Sequence, residues 1–276
     1  MTITLRLIIF LVLTSVWINS HAGEPTLNIT IDGKLQHYSA ATLLGRSDTR
    51  TIQVINDEAY RRPMTYRAIP LATLLNRSVK NDGVFLEVKA LDGFVSELPV
   101  ALALNRDSSK AIAMLAIEDP ANPWPPLPGK SVSAGPFYLI WVGGDTAAIR
   151  SEQWPYQIAS ITEEVAPEKR WPQLAVDSSI AKNDPRQQGQ RLFVVQCLVC
   201  HKFDGAGNAD IGPDLNRPMN PTQYFTVSAL KKLLRDPSSV RDWPGRKMPA
   251  FQPKTLSDID IDHIVQYLQY KAETRK

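Results

Sequence analysis

Apolar and polar positions alternate in short runs over the first half of the chain and recur with helical spacing over its last third. Asn28-Ile29-Thr30-Ile31 alternates and stops at Asp32-Gly33, a two-residue hairpin signal. Residues 51–55 alternate likewise, 84–88 read as a strand before Asp92-Gly93, and 137–142 form an unbroken apolar run, a buried strand ending at Gly143-Gly144. Residues 69–75 have helical spacing, with Pro70 near the first turn, where proline is tolerated. The proline-crowded stretch 119–129 is a loop. From residue 186 the period becomes helical and predicts helices over 187–199, 226–234 and 258–271, the last with Ser257 as N-cap. Between the two regimes, residues 162–186 are polar and carry Glu163-Glu164, Pro167, Pro172 and Asn183-Asp184-Pro185, the composition of a connection. The expected division is 23–165, a linker over 166–185, and 186–276.

Residues 1–22 differ from the rest. Arg6 stands in a short start, an apolar stretch runs to Ile18, and Ser20 and Ala22 occupy the −3 and −1 positions of a small-residue cleavage site. That is the plan of a secretory signal peptide, so an exported, periplasmic protein is expected; an uncleaved anchor is the competing reading. No later segment approaches about 18 uninterrupted apolar residues, which predicts no membrane span once the signal is removed.

A composition of 43% hydrophobic and 21% charged residues can support real cores and argues against disorder. Residues 23–180 hold 15 Lys and Arg against 18 Asp and Glu, whereas 181–276 hold 15 against 10. The asymmetry suits two units and a mildly basic docking face, and is too weak to argue nucleic-acid binding.

The 2 cysteines of the chain lie in Cys197-Leu198-Val199-Cys200-His201. Two thiols three positions apart can each add to one vinyl group of a haem, and the following residue places an imidazole nitrogen on the iron; this is c-type attachment spacing. A redox dithiol needs no following histidine. A structural zinc site needs four protein ligands, and the chain has no second Cys/His pair.

Around that motif, residues 186–276 resemble class I monohaem cytochromes c. Gly189 and Phe193 match the family's N-terminal helix, Ile211-Gly212-Pro213-Asp214-Leu215 its loop past the proximal histidine, and Leu256-Ser257-Asp258-Ile259-Asp260 with Ile264-Val265-Gln266-Tyr267-Leu268 its C-terminal helix. The resemblance implies one haem c held by Cys197 and Cys200, His201 as axial ligand, and the Pro213 carbonyl as acceptor from its ring, a bond that fixes tautomer and orientation. It also points to Met248, in Met248-Pro249-Ala250-Phe251, as the second axial ligand. Met219 stands only 18 residues after His201 and His263 lies inside the terminal helix; both are weaker alternatives. A filled sixth position implies outer-sphere electron transfer. Trp243, Arg246 and Lys247 either donate to the propionates or belong to a solvated loop.

Residues 66–71, Asp92-Gly93-Phe94 and Gly135-Pro136 before an apolar strand loosely resemble the molybdopterin-binding domain of the sulfite oxidase family. That family's metal-binding cysteine has no counterpart in Val54-Ile55-Asn56-Asp57-Glu58-Ala59-Tyr60, which puts a molybdenum cofactor in doubt. Arg61, Arg62 and Arg67 are candidate anion binders or surface arginines, and Asp92 is a turn former. The resemblances together predict a mixed α+β, sulfite-oxidase-like N-terminal domain followed by an all-α class I cytochrome c domain. Their favoured function is one-electron transfer without catalytic residues, the first domain docking a redox partner (a dehydrogenase, an oxidase or a membrane electron-transfer complex) or binding a ligand. The alternative is an oxidoreductase that oxidises a small substrate with an atypically held molybdopterin and passes electrons to the haem.

Overall fold

A computed structural model describes residues 25–75, 84–144, 146, 149–246 and 248–275. The expected signal peptide and Lys247 lie outside the described residues. Strand β1, Thr26–Ile31, turns back through Asp32 (φ +50) and Gly33 (φ +70) into β2, Lys34–Ser39, pairing Ile31 with Lys34. Two consecutive left-handed residues match the twist of a hairpin, and Asp-Gly is the dipeptide that adopts them readily. The remaining strands are β3 Arg50–Val54, β4 Met64–Pro70, β5 Val84–Ala90, β6 Val95–Pro99, β7 Ala111–Ile117, β8 Phe137–Gly143 and β9 Ile158–Val165. They form a five-stranded sheet, β2-β1-β9-β5-β6, and a four-stranded antiparallel sheet, β3-β4-β7-β8. Among the described strands only the β1–β9 pairing is parallel.

Both sheets feed one core. Leu27 and Ile29 of β1, Leu86 and Val88 of β5, Ile158 and Ile161 of β9 meet Tyr66, Leu115, Phe137, Tyr138 and Trp141 of the second sheet. Burying each such side chain contributes roughly 1.5–3 kcal/mol. The helices here, α1 Ala40–Leu44, α2 Leu71–Leu74, α3 Val100–Ala103 and α4 Pro167–Arg170, are single turns. The helix expected over 69–75 shrinks to α2, because Ile69 and Pro70 pair in β4 and Pro70 is held extended at φ −57, ψ 123.

The later part carries α5 Pro185–Gln196, α6 Pro221–Tyr224, α7 Val227–Arg235 and α8 Asp258–Glu273. Asp184, Asn220, Thr226 and Ser257 cap them, each side-chain oxygen accepting from a first-turn backbone N–H. A second core gathers Leu174, Phe193, Leu198, Phe203, Leu230, Ile264 and Tyr267. Helices α5 and α8 cross at Gly189, where a Cβ would stand 2.0 Å from the His263 carbonyl oxygen. Phe193, Phe203 and Tyr267 stack with centroids 5.3–5.9 Å apart.

The expected fold class needs correction on both counts. Among the described residues the N-terminal part is dominated by two sheets, nine strands in all, with helices of only four or five residues, so a mixed α+β description overstates its helix. The C-terminal part is not all-α. Its four helices cover fewer than half of residues 185–276, and an isolated bridge joins Phe203 to Ala206. Prolines and glycines between α5 and α8, from Gly205 to Pro253, break the helical period and leave long loops. Residues 166–185 fold onto the second core: Leu174 is fully buried, its carbonyl accepts from Tyr267 Oη (2.8 Å), and Val176 N donates to Gln190 Oε1 (2.7 Å).

Candidate haem-binding site

Helix α5 ends three residues before the expected point. The N–H groups of Cys197 and Leu198 both donate to the Phe193 carbonyl (2.8 and 3.1 Å), which widens the last turn and closes the helix at Gln196. Cys200 and His201 then both donate to the Cys197 carbonyl (3.0 and 2.9 Å), so the motif folds into a turn of its own. That turn brings both thiols to one end of the helix. Cys197 is buried and Cys200 half-buried, and neither is in a disulfide. Burial pushes the Cys197 thiol up to about 12 and raises that of Cys200, so both sulfurs are protonated at neutral pH.

The chain after the motif folds back on it. Gly212 N donates to the Cys200 carbonyl (2.8 Å) and Leu215 N to the Lys202 carbonyl (2.9 Å). His201 Nδ1 lies 2.7 Å from the Pro213 carbonyl oxygen. A carbonyl only accepts, so Nδ1 carries the proton and Nε2 is left with its lone pair, the tautomer a metal takes. Burial lowers the imidazole's affinity for a second proton, against the Pro213 bond and the nearby Asp214 carboxylate. Asp214 pins the loop, accepting from the backbone N–H groups of Asp204 (2.8 Å), Gly205 (2.7 Å) and Asn216 (2.8 Å).

Met248 is half-buried against the second core, and its carbonyl accepts from Arg246 Nη1 (2.8 Å), whose Nε pairs with Asp242 (3.1 Å). Met219 is 47% exposed between Pro218 and α6, a poor position for a buried ligand. His263 sits at the α5–α8 crossing. Trp243 is exposed. The donor set suits a covalently held haem: two free thiols one turn apart, an imidazole with one nitrogen committed and one available, and Gly212 leaving space against the ring.

Arg61, Arg62 and Arg67 are all exposed. Asp92 accepts from Phe94 N (3.0 Å) in its turn. Asp57, inside the stretch compared with the cysteine-bearing segment, is 2% exposed and accepts from Tyr60 N (2.8 Å), Tyr66 Oη (2.7 Å) and Tyr138 Oη (3.3 Å). No group of three or more His, Cys, Asp or Glu placed to hold a metal occurs among the described residues. A cavity of about 560 Å³, lined by Ile31, Lys34, Tyr38, Arg46 and Leu75, lies between β1, β2 and α2, away from the cysteines.

One neighbour of the cysteines was invisible in the sequence. Arg150, from the sheet-bearing part, is 6% exposed. Its Nη1 donates to the Gln196 carbonyl (3.2 Å) and to Gln196 Oε1, Nη2 faces Glu152 (3.2 Å), and the guanidinium lies 4.0 Å over the Phe251 ring. Nothing local in 149–153 signals this contact, which spans 46 residues.

A thiol pair and imidazole on a turn closing the first of two crossed helices form an arrangement suited to c-type haem attachment. Residues 184–268 match the family model described as cytochrome c oxidase, cbb3-type, subunit III, and this segment is a cytochrome c domain. The match does not reach the N-terminal half, whose resemblance to the molybdopterin-binding domain finds no support in any family match. No curated protein matches the chain.

Proposed function

We propose that the protein is an exported c-type cytochrome that transfers single electrons in the periplasm, its one haem attached at Cys197 and Cys200 and ligated by His201 and Met248. The observation that carries this is the turn at 197–201 with the His201–Pro213 bond, inside a segment matching a cytochrome c family. Haem bound there supplies an iron that cycles between ferric and ferrous states. The protein's own part is to hold and shield it. Pro213 fixes the imidazole tautomer, Gly212 keeps the ring's face clear, and Arg246 tethers the backbone of Met248. No helix among the described residues is long and apolar enough to cross a membrane.

The N-terminal part we read as a docking or ligand-binding module for a redox partner, a dehydrogenase, an oxidase or a membrane complex. The buried Asp57–Tyr66–Tyr138 network occupies the compared stretch with satisfied hydrogen bonds, which disfavours an atypically held molybdopterin there. Iron and molybdenum counted per chain in protein purified from its own host test both readings, together with haem staining on a denaturing gel. One iron, stain on the polypeptide and no molybdenum are expected. An unstained polypeptide sinks the cytochrome reading, and one molybdenum per chain sinks the docking reading.

A further inference from the structure

Arg150 stands at the junction of the two parts and touches both sides of the candidate site. It donates to Gln196, the residue before Cys197, and covers the ring of Phe251, three residues after Met248. The turn that carries it is fixed in the sheet-bearing part: Arg150 N donates to Gln153 Oε1 (3.1 Å), and Trp141 Nε1 donates to the Gln153 carbonyl (2.7 Å). Its partner Glu152 is 12% exposed on the side chain, and its Oε2, though 3.2 Å from Arg150 Nη2, makes no hydrogen bond.

A buried cation and a buried anion beside a one-electron site act on it with opposite signs. Reduction adds one negative charge, so the cation favours the reduced form and the anion the oxidised form. At low local dielectric neither is screened as it would be in water. We propose that Arg150 and Glu152 are positioning residues that set the reduction potential of the haem, so that the N-terminal part contributes directly to the redox site. This rests on the cytochrome reading above.

The test is a redox titration of the full-length, haem-loaded protein alongside Arg150→Gln, Arg150→Lys and Glu152→Gln. Arg150→Gln should shift the equilibrium toward the oxidised form at least tenfold, 59 mV for one electron. Glu152→Gln should shift it at least threefold toward the reduced form, and Arg150→Lys should stay within threefold of the parent. Opposite shifts with an unchanged low-spin spectrum support the proposal, since a merely structural role gives no sign reversal. Shifts of one sign, or both within twofold of the parent, overturn it. Should Arg150→Gln not load haem, Glu152→Gln decides alone: the upward shift supports the proposal and its absence overturns it. A parent chain without covalent haem would sink the cytochrome reading as well, whereas loaded variants with parental potentials sink only this inference.

Discussion

A Cβ on Gly212 would stand 2.4 Å from Cε1 of the His201 ring and 2.6 Å from its Nδ1. The imidazole thus rests flush on backbone that only glycine supplies. Gly212→Ala should push the ring off the Pro213 carbonyl, costing about 1–3 kcal/mol as overpacking does, and lower covalent haem per chain. Gly33→Ala is the control. Gly33 has φ +70 with nothing within 4 Å of a Cβ, so that variant should lose roughly 1 kcal/mol and keep its haem. Thermal unfolding and haem-stained gels read both; equal haem loss in the two variants would count against the steric argument.

The two methionines of the cytochrome domain are separated by exposure. Met219, 47% exposed, should tolerate Met219→Ala within about 0.5 kcal/mol and without spectral change. Met248, half-buried and tethered through Arg246, should on Met248→Ala give an iron that binds added imidazole or cyanide readily and a lower potential. Ligand-binding titrations on both variants discriminate; an unaltered spectrum in Met248→Ala removes it as a ligand.

Gly189→Ala meets backbone as well as side chain. Its Cβ would lie 2.0 Å from the His263 carbonyl oxygen and 2.7 Å from Tyr267 Cβ, so α5 and α8 must separate. A loss of more than about 3 kcal/mol is expected in denaturant unfolding, at the upper end of overpacking costs. Retention of parental stability would mean that the helices do not cross so closely.

Glu97 shares one guanidinium with two other carboxylates. Arg170 contacts Glu97, Glu87 (2.9 Å) and Glu164 (3.6 Å), and Glu97 Oε2 is buried without a hydrogen bond. Burial pushes the Glu97 carboxyl up to about 7 from 4.5, although the charge of Arg170 opposes this. Between those pH values the unfolded chain has released the proton while the folded one keeps it, so stability falls as pH rises across the window. Glu97→Gln should remove that slope and gain on the parent, by on the order of 1–3 kcal/mol, between pH 5 and pH 8. Unfolding midpoints at several pH values check it; parallel curves for the two proteins would refute the assignment.

Much of the sheet-bearing part was legible wherever alternation met a turn dipeptide, as at Asp32-Gly33 and in β5 before Asp92-Gly93. The strand β9 was partly lost to the expected linker, because Glu163 and Glu164 look like solvated charges. In the fold Glu164 faces Arg170 and Glu163 Oε2 accepts from Asp32 N (3.2 Å), 131 residues away. Strand β7 carries Ala111-Ile112-Ala113-Met114-Leu115-Ala116-Ile117, apolar on both faces, where period gives no guide. The candidate site was read from spacing between neighbours in sequence, 197 to 201, which one local turn can bring together. Arg150 was illegible because its partner is set by the docking of two separately patterned regions.

The clasp at Gly189 also orders events in time. Helix α8 is synthesised more than sixty residues after α5. A helix of twelve residues is marginal alone in water, so α5 lacks its main packing partner until α8 arrives. Throughout that interval the Cys197 thiol, buried in the finished fold, stands open to modification. The close helix crossing is therefore a closing door, and the chemistry at Cys197 has its widest access before it shuts.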